Sequence, residues 1–241
     1  MIELLGIGLA DRDGRWLLRR VCARLEVGDL TAIVSGRAVE RDALIDVIAG
    51  RRIPVEGRAW INRLPLMRET AGRVRSLVAE AGPGVALAER RSVLWNALVG
   101  PGPSIADFLR LPRRSERAAA LIALDAVGLR SRVRDSVPAL TPSECARLTL
   151  ARALVRGARC VVLRDVDVVL PPADAHDVLR LVARIAASRR MVAVASLASV
   201  SLARRHADRV VELTDPLPAP DRAAPRLELE EAHGRPGGRA G

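Results

Sequence analysis

Apolar residues along the chain follow two patterns that together predict an α/β fold. Short apolar runs with strand character alternate with longer helical patterns after the first hundred residues. The strand-like runs are "IELLGIGL", "LTAIVS", "RAWIN", "SLVAE", "ARCVVLRD", "MVAVAS" and "RVVEL". Three of them, "LTAIVS", "RCVVL" and "VAVAS", contain successive apolar residues, which is typical of parallel strands covered on both faces. The sequence predicts a mainly parallel core sheet, with antiparallel strands near the N-terminus.

The same patterns divide the chain into parts. Residues from about 88 to 156 are rich in Arg and Ala and predict an inserted helical subdomain, with "GPGPS" as an internal break. Residues 214–241 are rich in Pro, Gly and charge, and predict a disordered tail. We therefore expect one folded domain over residues 1–213.

Composition narrows the protein class. Of the 241 residues, 49% are hydrophobic, which is enough to fill a core. The longest near-apolar stretch, "MVAVASLASVSLA", is shorter than the roughly 20 residues that span a bilayer. No basic segment precedes the first apolar residues, so we expect a cytoplasmic protein without a secretory signal. Cys22, Cys145 and Cys160 lack C-x-x-C spacing, so neither a zinc site nor a disulfide framework is expected.

A net charge of +11 would usually suggest nucleic acid or an anionic membrane as a partner. All basic side chains are Arg, however, and Lys and Gln are absent, as in a strongly biased genome. Four aromatic residues offer little surface for stacking on bases. We therefore expect no nucleic-acid partner.

The stretch "TAIVSGRAVERDALIDVIAG" has the outline of a strand, a phosphate-holding loop and a helix. A G-x-x-x-x-G-K-[ST] loop uses glycines to curl its N–H groups around an anion, a Lys to reach it and a hydroxyl for Mg²⁺. On that pattern Ser35 stands at the first Gly, Glu40 at the second, Arg41 at the Lys and Asp42 at the hydroxyl position. The degenerate nucleotide-binding loop comprises Ser35, Gly36, Arg37, Ala38, Val39, Glu40, Arg41, Asp42 and Ala43.

With this loop in place, residues 1–213 resemble the ATP-binding subunit of an ABC transporter. "GRAWINRLPL" resembles the strand and turn after the phosphate loop, and "SVLWNALVG" resembles a T-V-x-E-N-V-x-x-G segment. "LDAVGLRSRVRDSVPALTPSECARLTLARALVRGARCVVLRDVDVVLPP" resembles the signature helix and Walker B strand, and "HADRVVEL" the closing strand. The resemblance implies a P-loop NTPase-like ABC ATPase fold.

The resemblance also shows which family positions have changed. Glu80 stands at the Q-loop Gln, and the L-S-G-G-Q signature falls on Leu140, Thr141, Pro142, Ser143 and Glu144. The Walker B pair, an Asp that holds Mg²⁺ and a Glu that polarises water, falls on Arg164 and Asp165. From these replacements we expect no catalytic residue, no metal site, and no ATP or Mg²⁺ as cofactor, although the family uses both.

Electrostatics supports that expectation. At about 4–5 Å and an effective dielectric near 20, each of Glu40 and Asp42 would repel a phosphate by roughly 3–4 kcal/mol. Arg164 would put a cation where the metal belongs. A second interpretation is that Glu40 and Asp42 only stabilise a helix start. A further alternative is that Asp165 and Asp167 bind a metal ion together. It is disfavoured because the residue that holds Mg²⁺ in the family corresponds to Arg164.

The signature region has two interpretations. "TPSE" predicts a capped helix start, with Thr141 as N-cap, Pro142 at the first helical position and Glu144 closing a capping box. Such a start could also offer N–H groups to a nucleotide held by a partner subunit.

Three functions follow from these observations. The first is an ABC-type subunit that does not hydrolyse ATP, located peripherally at the inner face of the cell membrane. Its expected partners are a second, intact ABC ATP-binding subunit, as a heterodimer, and an integral membrane permease. The alternatives are a working ATPase of the same family and, less favoured, a nucleic-acid-binding protein. Under the first, we expect Arg164 to pair with Asp42, because the resemblance puts these two replacements at positions that face each other in the family. Sharing of this pair with Glu40 is a further hypothesis.

Overall fold

The computed structural model of the chain describes residues 1–99 and 112–213, which form two sheets with helices around them. The N-terminal sheet is antiparallel, in the order β2-β1-β4-β5. The second sheet is parallel, in the order β6-β7-β8-β3-β9. The strands are β1 Ile2–Ala10, β2 Trp16–Leu25, β3 Leu30–Val34, β4 Glu56–Ile61, β5 Leu64–Pro65, β6 Val78–Ala81, β7 Cys160–Leu163, β8 Val192–Leu197 and β9 Arg209–Glu212.

The helices connect the parallel strands and cover them. They are α1 Ala38–Ile48, α2 Ala71–Leu77, α3 Val93–Leu98, α4 Arg114–Ala126, α5 Pro142–Val155, α6 Val166–Val169, α7 Pro172–Arg189 and α8 Val200–His206, with short 3₁₀ turns at Arg130–Arg132 and Val137–Ala139. Among the described residues, no helix is both long enough and apolar enough to cross a bilayer.

Helix α1 lies between the two sheets. Its residues Leu44, Ile45, Val47 and Ile48 are fully buried, in one core with the antiparallel sheet and one face of the parallel sheet. The other face of the parallel sheet packs in a second core with α4, α5 and α7. Because both faces are covered, β3, β7 and β8 are buried along their whole length, as their continuous apolar sequences require.

The predicted fold class is confirmed: a parallel sheet follows N-terminal antiparallel strands. Two strands were not predicted, β2 and the two-residue β5. Strand β2 contains Arg19 and Arg20, and Arg20 has a positive φ of 51°, so its apolar alternation is interrupted and its pairing with β1 shifts register. The proposed helical subdomain at 88–156 remains a prediction. The "GPGPS" break and the 214–241 tail lie outside the described residues.

Candidate functional site

The candidate site lies at one edge of the parallel sheet, where β3, β6 and β7 end. Parallel neighbours place their carboxyl ends together, and open α/β sheets bind ligands in the crevice beyond those ends. Ser35 follows β3 and Arg164 follows β7. Glu80 is the second-last residue of β6, where that strand still pairs with β7. The fold thus brings the phosphate-loop, Q-loop and Walker B positions into one place.

The loop between β3 and α1 is shorter than a phosphate loop. Helix α1 already begins at Ala38, so only Ser35, Gly36 and Arg37 connect it to the strand. Ala38, Val39, Glu40, Arg41, Asp42 and Ala43, which the sequence assigns to the degenerate loop, all lie in the first half of α1. The physical reason is composition: no glycine stands at position 40, and residues 38–41 are compatible with a helix. Less backbone is left to curl around a phosphate.

Glu40 lies inside this helix start. It is 1% exposed, its Oε2 accepts a 2.5 Å hydrogen bond from Ser35 Oγ, and Arg37 Nη1 lies 3.0 Å from its Oε1. A carboxylate in the first turn stabilises a helix N-terminus. Of the two acids, only Glu40 lies in the first turn of α1, because Asp42 lies beyond it. The helix-start interpretation therefore applies to Glu40 and is wrong for Asp42.

Arg41, at the position of the family Lys, points across the site. Its Nη1 donates to the Ser35 carbonyl at 2.5 Å, and its Nε and Nη2 donate to Asp165 Oδ1 at 3.0 and 2.8 Å. The Arg41 residue is 3% exposed. Asp165 also accepts a 3.2 Å hydrogen bond from Ser196 Oγ. The donors of Arg41 are thus occupied by groups of the chain itself.

Arg164 is surrounded by three carboxylates. Its Nη1 lies 2.5 Å from Asp42 Oδ1, its Nη2 2.7 Å from Asp46 Oδ1, and its Nε 2.8 Å from Glu80 Oε1. Arg51 bonds two of these acids, Asp46 at 2.9 Å and Glu80. We call these five side chains, Asp42, Asp46, Arg51, Glu80 and Arg164, the Arg164 cluster. It is partly buried, since 29% of the Arg164 side chain is exposed.

Protonation in the cluster favours the charged forms. Burial works against the charge of Arg164, but hydrogen bonds to Glu80, Asp46 and Asp42 outweigh it and raise the pKa of Arg164 above its ordinary value. For Glu80, burial is again the largest opposing effect, and the bonds from Arg51 and Arg164 lower its pKa below the ordinary value. The pairs of Glu80 with Arg51 and Arg164 therefore persist as ion pairs at neutral pH.

The predicted contact between Arg164 and Asp42 is present, whereas the suggested sharing with Glu40 is wrong. Glu40 instead contacts Ser35 and Arg37. Asp46 and Arg51 were not predicted. Asp46 lies four residues after Asp42, on the same face of α1, and that i,i+4 spacing was a signal available in the sequence.

Asp165 and Asp167 do not converge. Asp165 faces Arg41, while Asp167 Oδ2 accepts hydrogen bonds from the backbone N–H groups of Ala198 and Ser199 at 2.9 and 2.8 Å. Within residues 1–99 and 112–213, no group of three or more His, Cys, Asp or Glu side chains is arranged to hold a metal ion.

The signature positions form the capped start of α5. Thr141 Oγ1 accepts from Glu144 N at 3.2 Å, and Glu144 Oε2 accepts from Thr141 N at 2.9 Å, which is the predicted capping box. Glu144 also lies 3.4 Å from Arg132. Leu140 precedes the cap, Pro142 starts the helix and Ser143 is buried. The Thr141 and Glu144 side chains are thus bonded locally and not to the Arg164 cluster, and Ser143 Oγ has no hydrogen-bond partner among the described residues.

Known proteins resemble the chain in sequence and fold. No protein-family model matches it. The phosphonates import ATP-binding protein PhnC of Cupriavidus pinatubonensis (strain JMP 134 / LMG 1197) is 29% identical over 223 residues, covering 88% of this chain and 79% of the relative. The phosphonates import ATP-binding protein PhnC 1 of Nostoc sp. (strain PCC 7120 / SAG 25.82 / UTEX 2576) is 26% identical over 212 residues, covering 84% and 79%.

Solved structures agree on the fold. CbiO1 from Clostridium perfringens, described as part of the ABC transporter complex cbiONQ, matches with a TM-score of 0.78 at 18% identity, covering 88% of this chain and 84% of that one. The ADP conformation of MJ1267, an ATP-binding cassette of an ABC transporter, matches with a TM-score of 0.77 at 18% identity, covering 88% and 87%.

The chain thus has the fold of an ABC ATPase cassette. Its homologues are ATP-binding subunits of ABC transporters.

Proposed function

We propose that this ABC cassette is a noncatalytic subunit of an import system, which neither holds Mg-ATP nor hydrolyses it. The observation that carries the proposal is the set of three ion pairs between Arg164 and Asp42, Asp46 and Glu80. In the family arrangement, Arg164 stands at the Mg²⁺-holding Asp and Asp42 at the Mg²⁺-holding hydroxyl. Here the two positions are joined directly by a charge-assisted hydrogen bond.

The residues present do not fit Mg-ATP. A metal ion needs oxygen ligands free to coordinate it. Asp42, Asp46 and Glu80 each face a guanidinium group, and Arg164 would repel a divalent cation from the place where it should bind. Arg41, the one cation at the family Lys position, is held by Ser35 and Asp165. Separating these pairs would leave charges unmatched in a partly buried site.

The comparisons support the alternative better than this proposal. The relatives are named as ATP-binding proteins, and those names favour a subunit that holds ATP. The noncatalytic proposal rests on the geometry of the site. The two functions share the same setting: an importer subunit at the inner face of the cell membrane, with phosphonates as the transported class suggested by the relatives' names.

Partners follow from the same proposal. A noncatalytic cassette supports transport only with a second, intact ATP-binding subunit, as a heterodimer, and with an integral membrane permease. No nucleic acid is required. The degenerate site positions, from Ser35 to Ala43 together with Glu80, Arg164 and Asp165, would then maintain the cassette shape instead of binding ATP.

Calorimetric titration of the purified chain with Mg-ATP tests the proposal, together with an assay of phosphate release. We expect no heat of binding at micromolar concentrations and no steady release above background. Asp165→Asn serves as the control for contaminating ATPases. A low-micromolar dissociation constant, or phosphate release that Asp165→Asn abolishes, would establish the ATP-hydrolysing alternative.

A further inference from the structure

A cavity of about 240 Å³ lies beside the Arg164 cluster, between the end of α5, the end of α2 and strand β6. Four of its lining residues are arginines, Arg51, Arg75, Arg152 and Arg156, and one is acidic, Glu80. We call it the arginine cavity. It is separate from the β3–α1 loop, because none of its lining residues belongs to the predicted phosphate loop.

Arg152 is the buried member of this group. The residue is 4% exposed, and its Nη1 donates a 3.0 Å hydrogen bond to the Ala86 carbonyl. Within the described parts of the chain, its Nη2 has no hydrogen-bond partner and no carboxylate pairs with it. Burial, together with the like charge of Arg156, lowers the pKa of Arg152 below its ordinary value, yet an arginine stays charged in proteins. One of the residues that line the cavity is therefore a buried cation with an unused donor.

The other charges of the cavity do not neutralise Arg152. Glu80 is already bonded to both Arg51 and Arg164. Arg75 donates to the Gly50 carbonyl at 3.1 Å, which is a neutral partner. Arg156 lies one helical turn after Arg152 and forms no side-chain hydrogen bond or ion pair with the rest of the described chain. The cavity thus has more positive than negative charge, and an uncompensated buried charge is costly.

The geometry points to a small tetrahedral oxyanion of the phosphate class as the ligand of the arginine cavity. Arg75 lies on α2, whereas Arg152 and the C-cap residue Arg156 lie at the end of α5, so their guanidinium groups can bind oxygens that point in different directions. A dianion would compensate more of the excess charge than a single carboxylate. This binding requires no nucleotide and does not depend on whether the chain hydrolyses ATP.

Thermal unfolding of the full chain in sodium phosphate tests the inference, with sodium chloride at the same ionic strength as the reference. Phosphate is expected to raise the melting temperature in a saturable way beyond the effect of chloride. Arg75→Ala/Arg156→Ala removes two exposed donors and is expected to weaken the apparent affinity by about tenfold or more. Arg184→Ala, an exposed charge on α7 outside the cavity, provides the matched control and is expected to keep the response.

Two further measurements identify the class of ligand and test whether Arg152 is required to bind it. Sodium acetate is expected to stabilise much less than phosphate, and an equal effect would overturn the choice of a tetrahedral ion in favour of a carboxylate, such as one from a partner chain. Arg152→Met is expected to lose the phosphate response while folding in its absence. If that variant does not fold, the Arg75/Arg156 comparison decides. No stabilisation beyond chloride, or the same response in the double variant and in Arg184→Ala, would overturn the inference.

Discussion

The guanidinium of Arg41 lies 2.8 Å from the carboxylate of Asp165, and the two residues are 124 positions apart in the sequence. In the family both positions serve ATP, one by contacting phosphate and the other by polarising water. In this chain each neutralises the other. Two positions that would have to face a ligand are joined across the crevice.

Breaking this pair from one side is expected to destabilise the fold. Arg41→Met leaves Asp165, whose side chain is 24% exposed, without the cation that it pairs with in the fold. We expect a loss of about 2–4 kcal/mol in the free energy of unfolding, measured by urea denaturation. Arg41→Met/Asp165→Asn is expected to recover part of it. Additive effects of the two changes would show that the pair is not coupled.

Arg164 is expected to be the most costly single deletion in its cluster. Arg164→Ala leaves Asp42, Asp46 and Glu80 close together with only Arg51 to compensate them. We expect a loss of about 2–4 kcal/mol. Asp42→Ala alone, at a side chain 46% exposed, is expected to cost about 1 kcal/mol or less.

The Arg164→Ala/Asp42→Ala double variant is then expected to be more stable than Arg164→Ala alone, because it removes one of the unmatched carboxylates. Chemical denaturation of the four proteins completes the cycle. A double variant that is less stable than Arg164→Ala would contradict this account.

Stability is expected to decrease in acid through Glu80. Its pKa is lowered in the folded protein, despite burial, by the bonds from Arg51 and Arg164. Its contribution is therefore complete above the unfolded pKa of about 4.3 and is lost as the pH falls below that value, through the lower folded pKa. Glu80→Gln should reduce the acid slope of stability, and Glu69→Gln, at an exposed residue, serves as control. An equal reduction by both would contradict a role of the cluster.

The three cysteines are expected to react in the order of their exposure. Burial raises the pKa of Cys160 to about 12, so only about one molecule in ten thousand carries its thiolate at pH 8. Cys22 is exposed. Mass spectrometry after iodoacetamide treatment should show modification of Cys22 in the native protein and of Cys160 only after unfolding. Cys22→Ser should remove the fast modification. Rapid labelling of Cys160 in the native chain would contradict its burial.

The sequence predicted the sheets better than it predicted the loop. Continuous apolar runs determine β3, β7 and β8 because two covered faces demand them. Strand β2 was not predicted because Arg19 and Arg20 disturb its alternation. The start of α1 at Ala38 was not predicted because the G-x-x-x-x-G-K-[ST] pattern implies the backbone path of a glycine-containing loop, which this sequence does not require.

Within the site, the sequence predicted a contact where charged residues replace the family's metal-binding residues. Arg164 and Asp42 were predicted to meet because opposite charges stand at two positions that share a metal in the family. Asp46 and Arg51 were missed because neither stands at a family motif position. The arginine cavity was missed for another reason: the unused donor of Arg152 becomes visible only once burial and hydrogen bonds are known.

The burial of α1 affects which substitutions its first turn can accept during evolution. Leu44, Ile45, Val47 and Ile48 are 0% exposed, and full burial of an aliphatic side chain contributes about 1.5–3 kcal/mol. The helix is therefore held in place by its buried apolar face and does not need a ligand at its first turn. Substitutions at Glu40, Arg41 and Asp42 leave this anchor intact. The position of α1 in the fold is therefore set by its apolar face and not by what its first turn binds.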